Sequence, residues 1–100
     1  MGNPSSGPLS RDSVDALKTL GARYGVRDIR VFGSYARGEG TEGSDLDLLV
    51  RVDYGRGVAR RFVRFCLEAS RLLGMRVDVV TEASLDPVLH VRILREARTL

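Results

Sequence analysis

The stretch DLDLLVRV, residues 45–52, alternates in a way that only one kind of backbone satisfies. A period of two is the β-strand period, so Leu46, Leu48, Val50 and Val52 share one face, and Asp45, Asp47, Leu49 and Arg51 share the other. The aliphatic face demands a core beneath it. The opposite face then carries two carboxylates two residues apart, each raising the other's cost of ionising unless something neutralises them.

Around this strand the chain divides into short periodic segments. Val14, Leu17, Leu20 or Gly21, and Tyr24 recur at helical spacing behind a capping Ser10 or Asp12, and Gly25 fits a left-handed stop. Ile29, Val31 and Phe32 mark a strand over 27–32 that halts at Gly33. Ser34 to Arg37 read as a short helix, and 38–44 as loop. Val58, Phe62, Phe65, Cys66, Ala69, Leu72 and Leu73 form the apolar face of a second helix, which Gly74 ends; Arg60, Arg61, Arg64 and Arg71 form its solvated side. MRVDVV, residues 75–80, is a third strand, with Val77 and Val79 on one face and Arg76, Asp78 and Val80 on the other. Asp86 and Pro87 open a last helix that runs to Arg98. Strands alternating with helices predict an α/β or α+β layer, a small mixed sheet of about three strands with helices packed on one face.

With 100 residues, 43% of them hydrophobic and 29% charged, the chain is sized for a single domain, expected over 10–100 behind a flexible leader at 1–9. The net charge of +3 comes almost wholly from arginine, since Lys18 is the only lysine, yet 13 acidic residues are interspersed and no nucleic-acid patch stands out. Direct nucleic-acid binding is therefore not expected. Cys66 is alone, which excludes an internal disulfide and agrees with a reducing compartment. No apolar run approaches membrane-spanning length, so a cytoplasmic location is expected.

The acids on the strands point to metal chemistry. Oxygen-only ligands favour Mg2+, which takes one or two carboxylates and leaves its other positions to water and substrate phosphates. If the strands carrying Asp47 and Asp78 are neighbours in register, three carboxylates, Asp45, Asp47 and Asp78, converge on one side of the sheet as the outline of a two-ion site. Such a site serves in-line attack at phosphorus. Gly33 and Ser34, at the end of a strand, would offer N–H groups and a hydroxyl to the outer phosphates of such a substrate. Arg37 joins them as a nucleotide-binding candidate, although pairing with Glu39, Glu42 or a site aspartate is an equal reading. Gly38, Gly40 and Gly43 spell G-x-G-x-x-G, but a strand rather than a helix follows, so a dinucleotide site is rejected. His90 and Cys66 read as helix surface and core, and Tyr35 carries no assignment.

Gly33-Ser34, ten residues, then Asp45-x-Asp47, with Ala36-Arg37-Gly38 between and Asp78 on a later strand, closely resembles the minimal nucleotidyltransferases of the DNA polymerase beta superfamily, the MntA-like antitoxins. The resemblance runs from the first helix to the closing EARTL. It implies a palm-like nucleotidyltransferase fold, Gly33 and Ser34 at the triphosphate, and Asp45 and Asp47 on Mg2+, with two ions expected and Asp78 completing the triad. It also implies ATP as substrate, a HEPN-type toxin as partner, and transfer of AMP to a tyrosine of that toxin. Two further readings stay open: an antitoxin that acts by binding alone, through Leu89, Ile93 and Leu100, and transfer to a small-molecule acceptor. Oligomeric state, homo or hetero, has no signature in the residues.

Overall fold

In the computed structural model, residues 9–39 and 45–100 are described. The proposed leader, apart from Leu9, and the loop positions Gly40, Glu42 and Gly43 lie outside them. Helix α1, Arg11–Tyr24, begins where the Ser10 side chain accepts from the Ser13 N–H at 3.2 Å, and it stops at Gly25 in the left-handed region. Strands β1 (Val26–Phe32) and β2 (Leu46–Val52) follow, then helix α2 (Val58–Leu73), strand β3 (Val77–Thr81) and a 3-10 turn at Glu82–Ser84. Helix α3, Pro87–Glu96, opens with Asp86 accepting from the N–H groups of Val88 and Leu89, both at 3.0 Å. A two-residue strand, β4 (Arg98–Thr99), completes the order.

The sheet runs β3-β2-β1-β4, with β1 antiparallel to both β2 and β4, and β2 parallel to β3. It is the mixed sheet predicted, with a fourth strand that the sequence reading missed. The last helix therefore ends at Glu96 rather than Arg98. Ala97 turns extended, and Arg98 and Thr99 exchange helical bonds for pairing with Val31 and Arg30. Tertiary pairing wins over helix propagation at a frayed end.

β1 contains an irregularity that keeps its core face continuous. Val26, Ile29 and Val31 are all buried, yet 26 and 29 have opposite parity. The register slips between Arg27 and Arg30 relative to β2, and Asp28 takes a positive φ of 51°. An extra residue is absorbed as a bulge. Beyond it, Val31 faces Leu48 and Phe32 faces Asp47 in phase.

Leu17, Leu20, Ile29, Val31, Leu46, Leu48, Val50, Phe65 and Ala69 make one cluster on the side covered by α1 and α2. Leu9, Val77, Val79 and Leu100 pack at its margin. Leu49, on the alternate face of β2, is also fully buried. With Ile93 of α3 it lies outside the main cluster, and an ion pair of Glu96 with Arg37 and a contact of His90 with Glu82 tie α3 to the rest of the fold. Arg61, read as solvated, instead donates to the carbonyls of Tyr24 and Asp53 at 3.0 and 2.8 Å, joining the start of α2 to the end of α1. Among the described residues no helix is long and apolar enough to cross a membrane.

Phe65 is wholly buried at the centre of α2's apolar face. Its truncation to Ala is expected to cost about 3–5 kcal/mol, read as a lower urea midpoint at unchanged slope.

Candidate active site

The β2–β3 ladder sets Leu46 beside Val77, Asp47 beside Asp78 and Leu48 beside Val79. Because side chains alternate, one pairing fixes two outcomes: the leucines and valines meet on the helical side, and the two aspartates meet on the other. Asp47 is half-buried and Asp78 exposed. Asp45 precedes β2 instead of belonging to it, so the strand expected over 45–52 begins one residue later. Its carboxylate stands 4.0 Å from Arg76. That arginine, two residues from Asp78, thus serves Asp45.

Asp47 is the electrostatic centre of the group. Burial pushes its carboxyl above the ordinary aspartate value, and the charges of Asp78, then Asp45, then Glu96 push in the same direction. Arg37 opposes them. Three acids and one base therefore act on a single carboxylate.

The backbone closes on that carboxylate from β1. Gly33 has φ +75°, and a Cβ built there would overlap Asp47 Oδ2. Only a residue without a side chain lets β1 end against the acid. Beyond Gly33 the chain does not form the short helix read over 34–37. Arg37 N–H donates to Gly33 O, Gly38 N–H to Tyr35 O and Glu39 N–H to Ser34 O, and these spans of four, three and five residues make nested turns without a helical repeat. Ser34 is half-buried at the mouth of this turn. The Arg37 guanidinium is engaged by Glu39 and Glu96.

Sequence reasoning missed two acids. Glu96 lies 59 residues from Arg37, so no local spacing announced it. Glu82, after β3, gathers Arg51 at 2.9 Å, Arg30 at 3.9 Å and His90 at 3.4 Å. The Arg51 hydrogen bond chiefly holds its carboxyl below the usual range. His90 thus has a partner on the fold's surface, as its helix position suggested. A groove of about 510 Å3 between α1 and α2, lined by Leu20, Arg23, Glu68, Arg71 and Leu72, lies on the helical side and receives none of these acids.

Among the described residues no three acidic, histidine or cysteine side chains stand close enough to cage an ion unaided. Mg2+ asks for less, since water and substrate phosphates supply most of its six positions. The Asp47–Asp78 pair, with Asp45 in electrostatic reach, is an all-oxygen donor set whose repulsion a cation would relieve. The donors fit that ion.

An acidic strand, a glycine-opened turn pressed against it and a third aspartate beside it, on a mixed sheet backed by helices, define an enzyme that transfers nucleotidyl groups. Comparison with known proteins agrees. The nucleotidyltransferase domain family matches residues 13–100, and the chain belongs to it. Protein adenylyltransferase MntA of Thermococcus cleftensis is 43% identical over 79 residues, 79% of this chain and 79% of that protein. A Methanocaldococcus jannaschii protein, provisionally named a protein adenylyltransferase, is 44% identical over 75% of this chain and 80% of its own length. A solved structure provisionally named a minimal nucleotidyltransferase shares 48% identity and a TM-score of 0.81, over 90% of this chain and 91% of its own. A crystal structure of a mutant of the toxin–antitoxin MntA-HpeT shares 26% identity and a TM-score of 0.66, over 86% of this chain and 69% of its own.

Two outcomes follow for stability. Gly33→Ala should cost about 1–2 kcal/mol for the left-handed backbone alone, with the overlap on Asp47 added. In calorimetry each kcal/mol lowers the Tm of a domain this size by roughly 4–8 °C. In an Asp47→Ala background the same substitution should cost less, because the overlap is gone and the backbone strain remains. The second outcome concerns pH. A carboxyl whose folded pKa lies above its unfolded 3.8 favours the folded state when protonated and burdens it once ionised, so its cost grows as pH rises through that window. Asp47→Asn should therefore raise Tm at pH 7, and the gain should vanish below the ordinary aspartate range.

Proposed function

We propose that this chain is a Mg2+-dependent protein adenylyltransferase, moving AMP from ATP onto a tyrosine hydroxyl of a HEPN-type toxin and acting thereby as its antitoxin. The observation that carries the reading is the parallel register that pairs Asp47 with Asp78 on the face where Gly33 abuts Asp47. The named activity of the MntA relative and the toxin–antitoxin match support the substrate and partner.

In this reading Asp45 and Asp47 hold Mg2+, two ions being the proposed number, with Asp78 as the outer ligand. Bound Mg2+ would neutralise the phosphate oxygens and favour departure of pyrophosphate. Gly33 leaves the triphosphate a close approach to backbone, and the Ser34 hydroxyl hydrogen-bonds a phosphate oxygen. Arg37 adds a fixed positive charge at the edge of the acidic group. The acceptor oxygen forms its bond to the α-phosphorus as the bond from that phosphorus to the bridging oxygen breaks. Asp78, the exposed member of the pair, takes the acceptor's proton. An open ledge of this kind suits an acceptor presented by a second protein. Of the three residues that the binding-only reading would use, Leu89 is exposed, whereas Ile93 is buried and Leu100 packs against the core.

Incubation with ATP labelled at the α-phosphate, Mg2+ and a HEPN-type partner is expected to label the partner, and mutation of the partner's acceptor tyrosine to remove the label. Asp47→Ala should lower the rate by about a thousandfold, the scale of several kcal/mol of lost charge stabilisation. A folded partner that stays unlabelled by the wild-type chain would refute the proposal. In a separate readout, Mg2+ with a nonhydrolysable ATP analogue should raise the Tm of the wild type and leave Asp47→Ala unmoved.

A further inference from the structure

Arg37 is gripped on two edges. Its Nη1 donates to Glu96 Oε1 at 2.5 Å, and its Nε donates to Glu39 Oε1 at 3.1 Å. Nη2 takes no partner among the described residues. The planar guanidinium cannot turn without breaking one of the two contacts.

Glu96 is the better anchored of the two acids. Its side chain is 25% exposed, against 64% for Glu39. It is the last residue of α3, and the Ala97 N–H donates to Ile93 O at 2.8 Å to close that helix. Directly beyond, Arg98 and Thr99 pair with Val31 and Arg30 of β1. β1 in turn runs into Gly33 and the turn that bears Arg37. A closed ring results: β1, turn, Arg37, Glu96, β4 and back to β1. A ring of this sort ties the guanidinium to the same strand that presses Gly33 against Asp47.

Exposed ion pairs contribute little to stability, so the ring's effect lies in where it holds a charge.

We propose that Glu96 is a positioning residue for nucleotide binding: it holds the Arg37 guanidinium over the turn that Gly33 opens, so that the remaining N–H edge meets the triphosphate seated at Gly33 and Ser34. The inference rests on the nucleotidyl-transfer reading of the site. Glu96 touches no substrate atom and acts through Arg37 alone. Its contribution is the ordering of a long side chain before the ligand arrives.

The test is a double-mutant cycle read by calorimetric binding of Mg2+ with a nonhydrolysable ATP analogue to the full chain. Glu96→Gln should weaken binding roughly 3- to 10-fold, the cost of ordering one long side chain at the moment of binding. In an Arg37→Gln background the same substitution should change binding less than about twofold, the mark of action through a shared partner. Tm should move little in either background. Unchanged affinity in Glu96→Gln, or an equal loss in both backgrounds, would overturn the positioning role while leaving the site intact. A wild-type chain that binds no nucleotide would overturn the underlying reading, and this inference with it.

Discussion

The pairing of β2 with β3 holds two like charges side by side, and the rest of the structure is arranged around that cost. Two unit charges about 5 Å apart repel by roughly 3 kcal/mol at an effective dielectric near 20, and less where one is exposed as Asp78 is. On the other side of the same strand, Leu46, Leu48 and Val50 are fully buried. Each contributes about 1.5–3 kcal/mol, so their sum exceeds the repulsion. A slip of one residue would remove the acids from one another and expose the aliphatic row. The register is therefore decided by the core, and the acidic pair is its consequence.

From this follows the role of the elements that do not touch the core directly. The bulge in β1 keeps Val26, Ile29 and Val31 on the buried side and so delivers Phe32 opposite Asp47 and Gly33 against its carboxylate. β4 fastens the chain's last residues to β1 and sets Glu96 within reach of Arg37. Helices α1 and α2 shield one face of the sheet, and the other, although it buries Leu49, retains charge at Asp47 and Asp78. A nucleotidyltransferase needs this asymmetry, since its substrate arrives with a highly charged triphosphate and must meet both bound cations and open solvent for the acceptor.

Much of this was legible in the residues. The alternation in 45–52 fixed which side chains share a face, and the glycines at 25 and 74, with Asp86 and Pro87, marked helix ends to within a residue or two. The meeting of Asp47 with Asp78 depended on one added condition, that their strands be neighbours in register, and the ladder satisfies it. What escaped was set by distant contacts. Arg98 and Thr99 continue a helical pattern and pair as a strand only because β1 offers a free edge. The bulge had a signal that was passed over, the odd spacing between Val26 and Ile29. The turn after Gly33 looked helical by length, yet its hydrogen bonds follow no single period. Glu96 opens the closing EARTL and Glu82 stands in no motif, but neither could be assigned a role because their partners come from other elements of the fold.

The central proposal, that Asp47 and Asp78 together take a divalent cation, is tested most directly by following the Asp47 side-chain carboxyl carbon by NMR through a pH titration with and without Mg2+. Without the ion, Asp47 should titrate above the ordinary aspartate value; with it, the same carboxyl should titrate below that value. A titration of Asp47 that Mg2+ leaves unmoved would contradict the account.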